Sequence, residues 1–134
     1  MKSRVLKPED YDKLTEWWKW WRFPVIDKSL LPNNGLGGFM VEHNGIDVVA
    51  GFLYFTNSGF ALCEFVVSNP EVRDKTIRED ALVFLIDEIT KEAKVNGVKC
   101  LFTYVKNSNL EKKYLKAGYQ IGTKGSNELI KNIE

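Results

Sequence analysis

Histidine is nearly absent from this 134-residue chain: His43 is the only one, and it falls in the turn "EHNG", away from any cysteine or carboxylate at metal-ligand spacing. No Ser-His-Asp or Cys-His arrangement can be assembled around it, which removes the common nucleophilic hydrolases from consideration. Cysteine is scarce too. Cys63 and Cys100 lie in apolar runs and form no CxxC pair, so the expectation is two reduced, buried thiols and no metal. No window approaches the roughly 20 apolar residues of a membrane span, and "MKSRVLKPED" has no apolar signal core. An excess of one charge is also missing. With 19 basic residues against 18 acidic, no global field draws the chain to nucleic acid or an anionic membrane. These absences leave a single cytoplasmic domain, long enough to bury about two thirds of its unfolded surface in one core.

What is present is a regular alternation of elements. Ser3 to Lys7 reads as a short strand, and "KPED" opens a helix running to about Trp21, with Pro8 and two acids in its first turn. "RFPVIDKSLLPNNGLGG" is a loop, with room for one helical turn around Asp27 to Leu31. Three strands then follow as a meander, joined at "HNG" and "NSG", where positive-φ residues are expected. Ile77, Ala81, Phe84, Leu85, Ile89 and Ala93 keep helical spacing up to Asn96, and Gly97 supplies the stop. "KCLFTYV" is a buried strand, "NSNLEKKYLKAG" a short helix, and "YQIGT" and "ELIKNI" two closing strands. The order is β-α-loop-β-β-β-α-β-α-β-β: a mixed, mostly antiparallel α/β sheet of six to seven strands with helices on both faces.

One more absence bears on function. "EVRDKTIRED", Glu71 to Asp80, stands at the start of the long helix, where exposed N–H groups make a natural phosphate site, yet it contains no glycine. Thr76 and Glu79 read as a capping box, which would occupy those donors. Arg73, Lys75 and Arg78 could instead reach a phosphate by side chain. The stretch holds three basic residues and four acidic ones, so it exerts no net attraction on an anion.

The element order resembles the GNAT superfamily of acetyl-coenzyme A-dependent N-acetyltransferases over essentially the whole chain. The sharper likeness is in "NSNLEKKYLKAGY", where Asn107, Tyr114, Gly118 and Tyr119 match the family's Asn after the fifth strand, Tyr seven residues on, and a Gly-aromatic pair. The resemblance implies one GNAT-like acyltransferase domain, 1–134, transferring acetyl from acetyl-coenzyme A to a primary amine of a small molecule or peptide by direct attack, as monomer or homodimer. It gives Asn107 a hold on the pantetheine arm and Tyr114 the protonation of the departing thiolate. It gives the backbone of Phe65, Val66 and Val67 the carbonyl oxygen, and Arg73, Lys75 and Arg78 the pyrophosphate. The family's Arg/Gln-x-x-Gly-x-Gly/Ala signature falls on "RDKTIR", where Thr76 and Arg78 stand at the two glycine positions and Asp74 precedes them. A β-carbon there blocks the close approach of a phosphate to the backbone. Asn107 also reads as a helix cap, and Tyr114 as an aromatic packing its helix onto the sheet.

Two further candidates come from pattern. Glu64 shares a strand face with Phe60, Leu62 and Val66, where partial burial would raise its pKa and make it a base for an ammonium; the other reading is an edge charge neutralised by a cation. In "WWKWW", helical geometry points Trp17 and Trp21 with Leu14 one way, with Trp18 and Trp20 flanking; the resemblance implies that this helix and the loop after it wall the acceptor site, so that Trp18 or Trp20 is expected to line it. A stacking platform for single-stranded nucleic acid would want surrounding cations that this helix does not supply. The missing glycines support a second function class, a GNAT-fold binding protein without catalysis, acting through the tryptophan helix and the Arg22 to Gly38 loop.

Overall fold

In the computed structural model, which describes residues 1–133, the chain runs β1 (Lys2–Val5), α1 (Asp10–Trp20), β2 (Gly38–His43), β3 (Ile46–Phe55), β4 (Phe60–Ser68), α2 (Lys75–Val95), β5 (Cys100–Phe102) and α3 (Ser108–Lys116). Two 3-10 turns, Lys28–Leu30 and Pro32–Gly35, break the loop after α1. The sheet order is β1-β2-β3-β4-β5, with β4 and β5 parallel and the other neighbours antiparallel. β3 lies at its centre because it is apolar on both sides: every residue from Val48 to Leu53 is buried.

The two faces carry separate cores. On one, Met40, Ala50, Phe52 and Val67 meet Leu14, Trp17 and Trp18 of α1. On the other, Val41, Val49, Leu53, Ala61 and Cys63 meet Ala81, Leu85, Ile86 and Ile89 of α2, and Tyr114 of α3 joins them. The alternation of β3 side chains, Ala50 and Phe52 one way and Val49 and Leu53 the other, divides them. Beside the first core, Asp10 is buried under a bidentate Arg4, with Nη1 at 2.7 Å and Nη2 at 3.0 Å, and the same guanidinium reaches Asp47 at 3.2 Å. Burial opposes the charge on Asp10, but the Arg4 hydrogen bonds and the Lys7 N–H outweigh it and hold the carboxyl below its usual range.

Several expectations are corrected. The sheet has five strands among the described residues: neither Tyr119 to Thr123 nor Glu128 to Ile133 forms one. Strand propensity is realised only where side chains find neighbours, and Leu129, Ile130 and Ile133 remain 91%, 76% and 86% exposed. The "HNG" turn does use positive φ, at Asn44 and Gly45, whereas "NSG" does not. That second turn is held by Thr56 Oγ1, which donates to Phe60 O at 2.6 Å and accepts from Ser58 N at 3.2 Å. Of the two free cysteines Cys63 is buried, but Cys100, on the outer strand, is exposed.

Candidate functional site

The site begins with a break in β4. Pairing with β3 steps from Ala50↔Val67 to Phe52↔Glu64, so Phe65 and Val66 together face Gly51. That is a β-bulge, and Phe65 takes the left-handed conformation, φ 57°, to make it. Gly51 allows it: a Cβ there would lie 2.9 Å from Val66 Cγ2 and 3.1 Å from Leu85 Cδ2. The bulge also redirects side chains. Val66 turns into the α2 core, so it does not share a face with Glu64 as strict alternation predicts.

On the other side of β4, pairing with β5 covers only Phe60↔Cys100, Ala61↔Leu101 and Leu62↔Phe102. Beyond Leu62 the two parallel strands have no common register. The buried strand expected from Lys99 to Val105 is therefore cut to three residues. Where backbone pairing stops, Glu64 spans the gap: its Oε1 accepts from Tyr104 N at 2.9 Å. Burial pushes the Glu64 carboxyl up to about 7, with Glu128 adding to the rise, against the lowering effect of the Tyr104 N–H and the Thr103 side chain.

Tyr114 lies next to the same gap on the α2 face, 3% exposed, with its hydroxyl 3.4 Å from Cys63 Sγ. Burial raises its pKa far above the ordinary phenol value, with Cys63 adding to the effect, so the proton stays on oxygen. Burial likewise pushes the Cys63 thiol up to about 11. Tyr119 packs edge-on against Tyr114, ring centroids 4.9 Å apart, and its hydroxyl is buried without a hydrogen-bond partner among the described residues. Cys63, Thr103 and Tyr119 thus belong to the environment of Tyr114 and Glu64. Strand alternation and the Gly-aromatic pair were the signals for them, but only the fold shows that they meet.

Asn107 caps α3, its Oδ1 accepting from Asn109 N at 2.8 Å and Leu110 N at 3.1 Å. The cap of α2 differs from expectation. Asp74, not Thr76, holds that position, accepting from Thr76 N and Ile77 N. An extended residue with a short carboxylate satisfies the first free donors two residues earlier than a box from Thr76 to Glu79 would, and it leaves Glu79 free to pair with cations. Lys75 lies 3.9 Å from Glu79 Oε1, and Lys113 reaches across from α3 to 3.4 Å of Glu79 Oε2. Arg78 donates weakly to Val72 O, at 3.4 Å, and Arg73 is exposed.

The tryptophans separate. Trp18 is a core residue, 2% exposed, stacked on Phe52 with ring centroids 6.4 Å apart, so its indole has no open face to offer an acceptor. Trp20 is 60% exposed and stands edge-on to Trp21, whose Nε1 donates to Ser68 O at 2.8 Å. Nearer the bulge, the Tyr54 and Phe65 rings meet at 6.1 Å, and Tyr54 Oη donates to Leu30 O at 2.8 Å. Tyr54 also borders a cavity of about 480 Å³, lined among others by Pro32, Asn33, Leu36, Phe39 and Phe55. The loop after α1, expected to wall an acceptor site, therefore approaches β3 and β4 through Tyr54 rather than through Trp18.

No protein-family profile matches the chain, and no curated protein matches it in sequence. Solved structures do. The ribosomal-protein-S18-alanine N-acetyltransferase of Escherichia coli superposes with a TM-score of 0.71 at 17% identity, covering 91% of this chain and 79% of that one. This chain has the GNAT fold. N-acetylglutamate synthase of Neisseria gonorrhoeae, complexed with coenzyme A and L-arginine, gives a TM-score of 0.72 at 16% identity over 91% of this chain, which spans only 28% of that enzyme's length. A predicted acetyltransferase of Clostridium acetobutylicum with acetyl-CoA gives 0.62 at 19% identity, covering 96% and 95% of the two chains. The GNAT fold here is built on a five-stranded sheet and three helices, and no helix among the described residues is long and apolar enough to cross a membrane.

Proposed function

We propose that the chain is an N-acyltransferase that moves an acyl group, acetyl in the simplest case, from a coenzyme A thioester to a primary amine by direct attack. The observation that carries this reading is the gap between β4 and β5, with a carboxyl of pKa about 7 spanning it and a fully protonated phenol beside it. Amide formation from a thioester needs a base for the ammonium, donors for the carbonyl oxygen and an acid for the leaving thiolate. The thioester supplies the activated acyl group. Glu64, half ionised near neutrality, takes the ammonium proton. The bulge residues Phe65 and Val66 stand outside the ladder, and backbone N–H groups there serve the carbonyl oxygen. Tyr114 holds its proton until a thiolate needs it. Asn107 spends Oδ1 on its cap and keeps Nδ2 for an amide carbonyl of the pantetheine arm. The Tyr54 and Phe65 rings, with Trp20 further out, suit the amine or the flat part of an acceptor. Similarity to proteins solved with coenzyme A and with acetyl-CoA supports the donor, and similarity to an N-acetyltransferase of a ribosomal protein's alanine keeps peptide acceptors in view beside small-molecule ones.

The test is thiol release from acetyl-CoA by the purified chain against a panel of primary amines, amino acids and peptides with free N-termini. Amine-dependent release is expected, falling about 10²- to 10³-fold in Tyr114→Phe while the melting temperature holds. Release at the uncatalysed rate with every amine would overturn the reading. In that case the binding-protein alternative, supported by the internally capped start of α2, gains, and Trp20→Ala should then abolish partner capture.

A further inference from the structure

The start of α2 already holds an anion, its own. Asp74 Oδ1 accepts from Thr76 N at 3.0 Å and from Ile77 N at 3.3 Å. These are the groups a helix start offers to a bound phosphate. The next donor, Arg78 N, is taken by Asp74 O at 3.1 Å. The nearby side-chain cations are engaged as well: Lys75 and Lys113 both pair with Glu79, and Arg78 leans on Val72 O. Among the described residues only Arg73, exposed, has no such partner at this helix start. A diphosphate entering here would have to displace a carboxylate that makes two hydrogen bonds, or lie against its negative charge. At the gap between β4 and β5 the only comparable contact among the described residues is the single N–H of Tyr104 that Glu64 accepts; nearby Tyr119 keeps a buried hydroxyl with no partner among those residues, and Asn107, at the start of α3, spends only its Oδ1 on the cap.

We propose that Asp74 sets donor selectivity: it keeps the diphosphate off the start of α2, so that the thioester donor is recognised through its acyl-pantetheine arm and the nucleotide end adds little. The proposal rests on the acyltransferase reading and narrows it to a donor class, acyl-pantetheine thioesters with or without a nucleotide. Asp74 acts by occupying donors and by repulsion, and it needs no contact with the reacting atoms.

The experiment uses the full chain and its Asp74→Gly and Asp74→Asn variants. Calorimetry measures binding of coenzyme A and of pantetheine, and initial rates are taken with acetyl-CoA and S-acetylpantetheine. Glycine frees both N–H groups and is itself a tolerated cap, while asparagine keeps the acceptor without the charge, and thermal melts establish that each variant is folded. The parent chain should bind the two ligands within about tenfold of each other. Asp74→Gly should raise the preference for coenzyme A about tenfold or more, as expected for hydrogen bonds gained to a charged group, and leave pantetheine binding unchanged. Asp74→Asn should fall between. That added preference should weaken with salt. A parent preference for coenzyme A above about tenfold, or a preference unmoved by Asp74→Gly, overturns the proposal while leaving acyl transfer intact. Failure of both ligands to bind any folded variant overturns both.

Discussion

The residue that ties structure to chemistry is Glu64, and its titration gives the sharpest single-residue prediction. Its carboxyl rises from an ordinary 4.5 to about 7, mainly because it is buried, so the folded chain binds its proton more tightly than the unfolded chain. The stability Glu64 contributes is therefore full below about 4.5 and is lost as pH rises through about 7. Glu64→Gln mimics the protonated state at every pH and can still accept from Tyr104 N. Melting curves should show the variant gaining on the parent between pH 4 and pH 8, with the change centred between the two pKa values. The same substitution should remove the rise in transfer rate through about pH 7 that the parent shows. A variant that keeps both the pH-dependent melting and the rate limb would show that another group titrates there. Sequence alone located Glu64 but not its environment. The bulge that turns Val66 away depends on a left-handed Phe65, and phenylalanine carries no local signal for that conformation.

At the scale of elements, much was legible because periodicity and glycine stops act locally. The long helix expected from Ile77 to Asn96 appears as Lys75–Val95, with Gly97 at φ 78° just past its end, and α3 ends the same way at Gly118, φ 100°. The turn expected around Asp27 to Leu31 forms with Asp27 accepting from Ser29 N. What failed to read through depends on contacts between distant segments: the length of β5, the conformation of Gln120 to Ile133, and which of four tryptophans face solvent. Capping lies between these cases: Asn107 caps α3 as its position suggested, while Asp74 takes the α2 cap expected of Thr76. The cap of α3 can be weighed apart from chemistry. Asn107→Ala removes the acceptor for two N–H groups and should cost about 1 kcal/mol of stability in urea denaturation, whereas Asn107→Asp preserves the cap. If Nδ2 holds the pantetheine arm, Asn107→Asp should be as stable as the parent yet bind pantetheine more weakly. Equal binding would leave Asn107 with the cap alone.

On the scale of the molecule, the two cores share β3 and stand on opposite faces of the sheet, while residues Gln120 to Ile133 belong to neither. That division makes the C-terminal segment a separable influence on the site. Residues from Gln120 to Ile133 are exposed, and Leu129, Ile130 and Ile133 bury almost nothing, so ending the chain at Gln120 removes little packed surface. A melting temperature within about 4 °C of the parent is expected, corresponding to less than about 1 kcal/mol. The electrostatic consequence is larger than the mechanical one. Glu128 helps to raise the Glu64 pKa, and removing it relieves that repulsion and opens the carboxylate to water, both of which favour the ionised form. The rate limb assigned to Glu64 should therefore move below about 7 in the shortened chain, and the point change Glu128→Gln should reproduce part of the shift without shortening anything. Had the segment formed the two closing strands expected from its sequence, truncation would expose β5 and its unpaired backbone, and the melting temperature would collapse. The two architectures thus predict opposite outcomes for one deletion: a small thermal change with a moved pH limb, or unfolding.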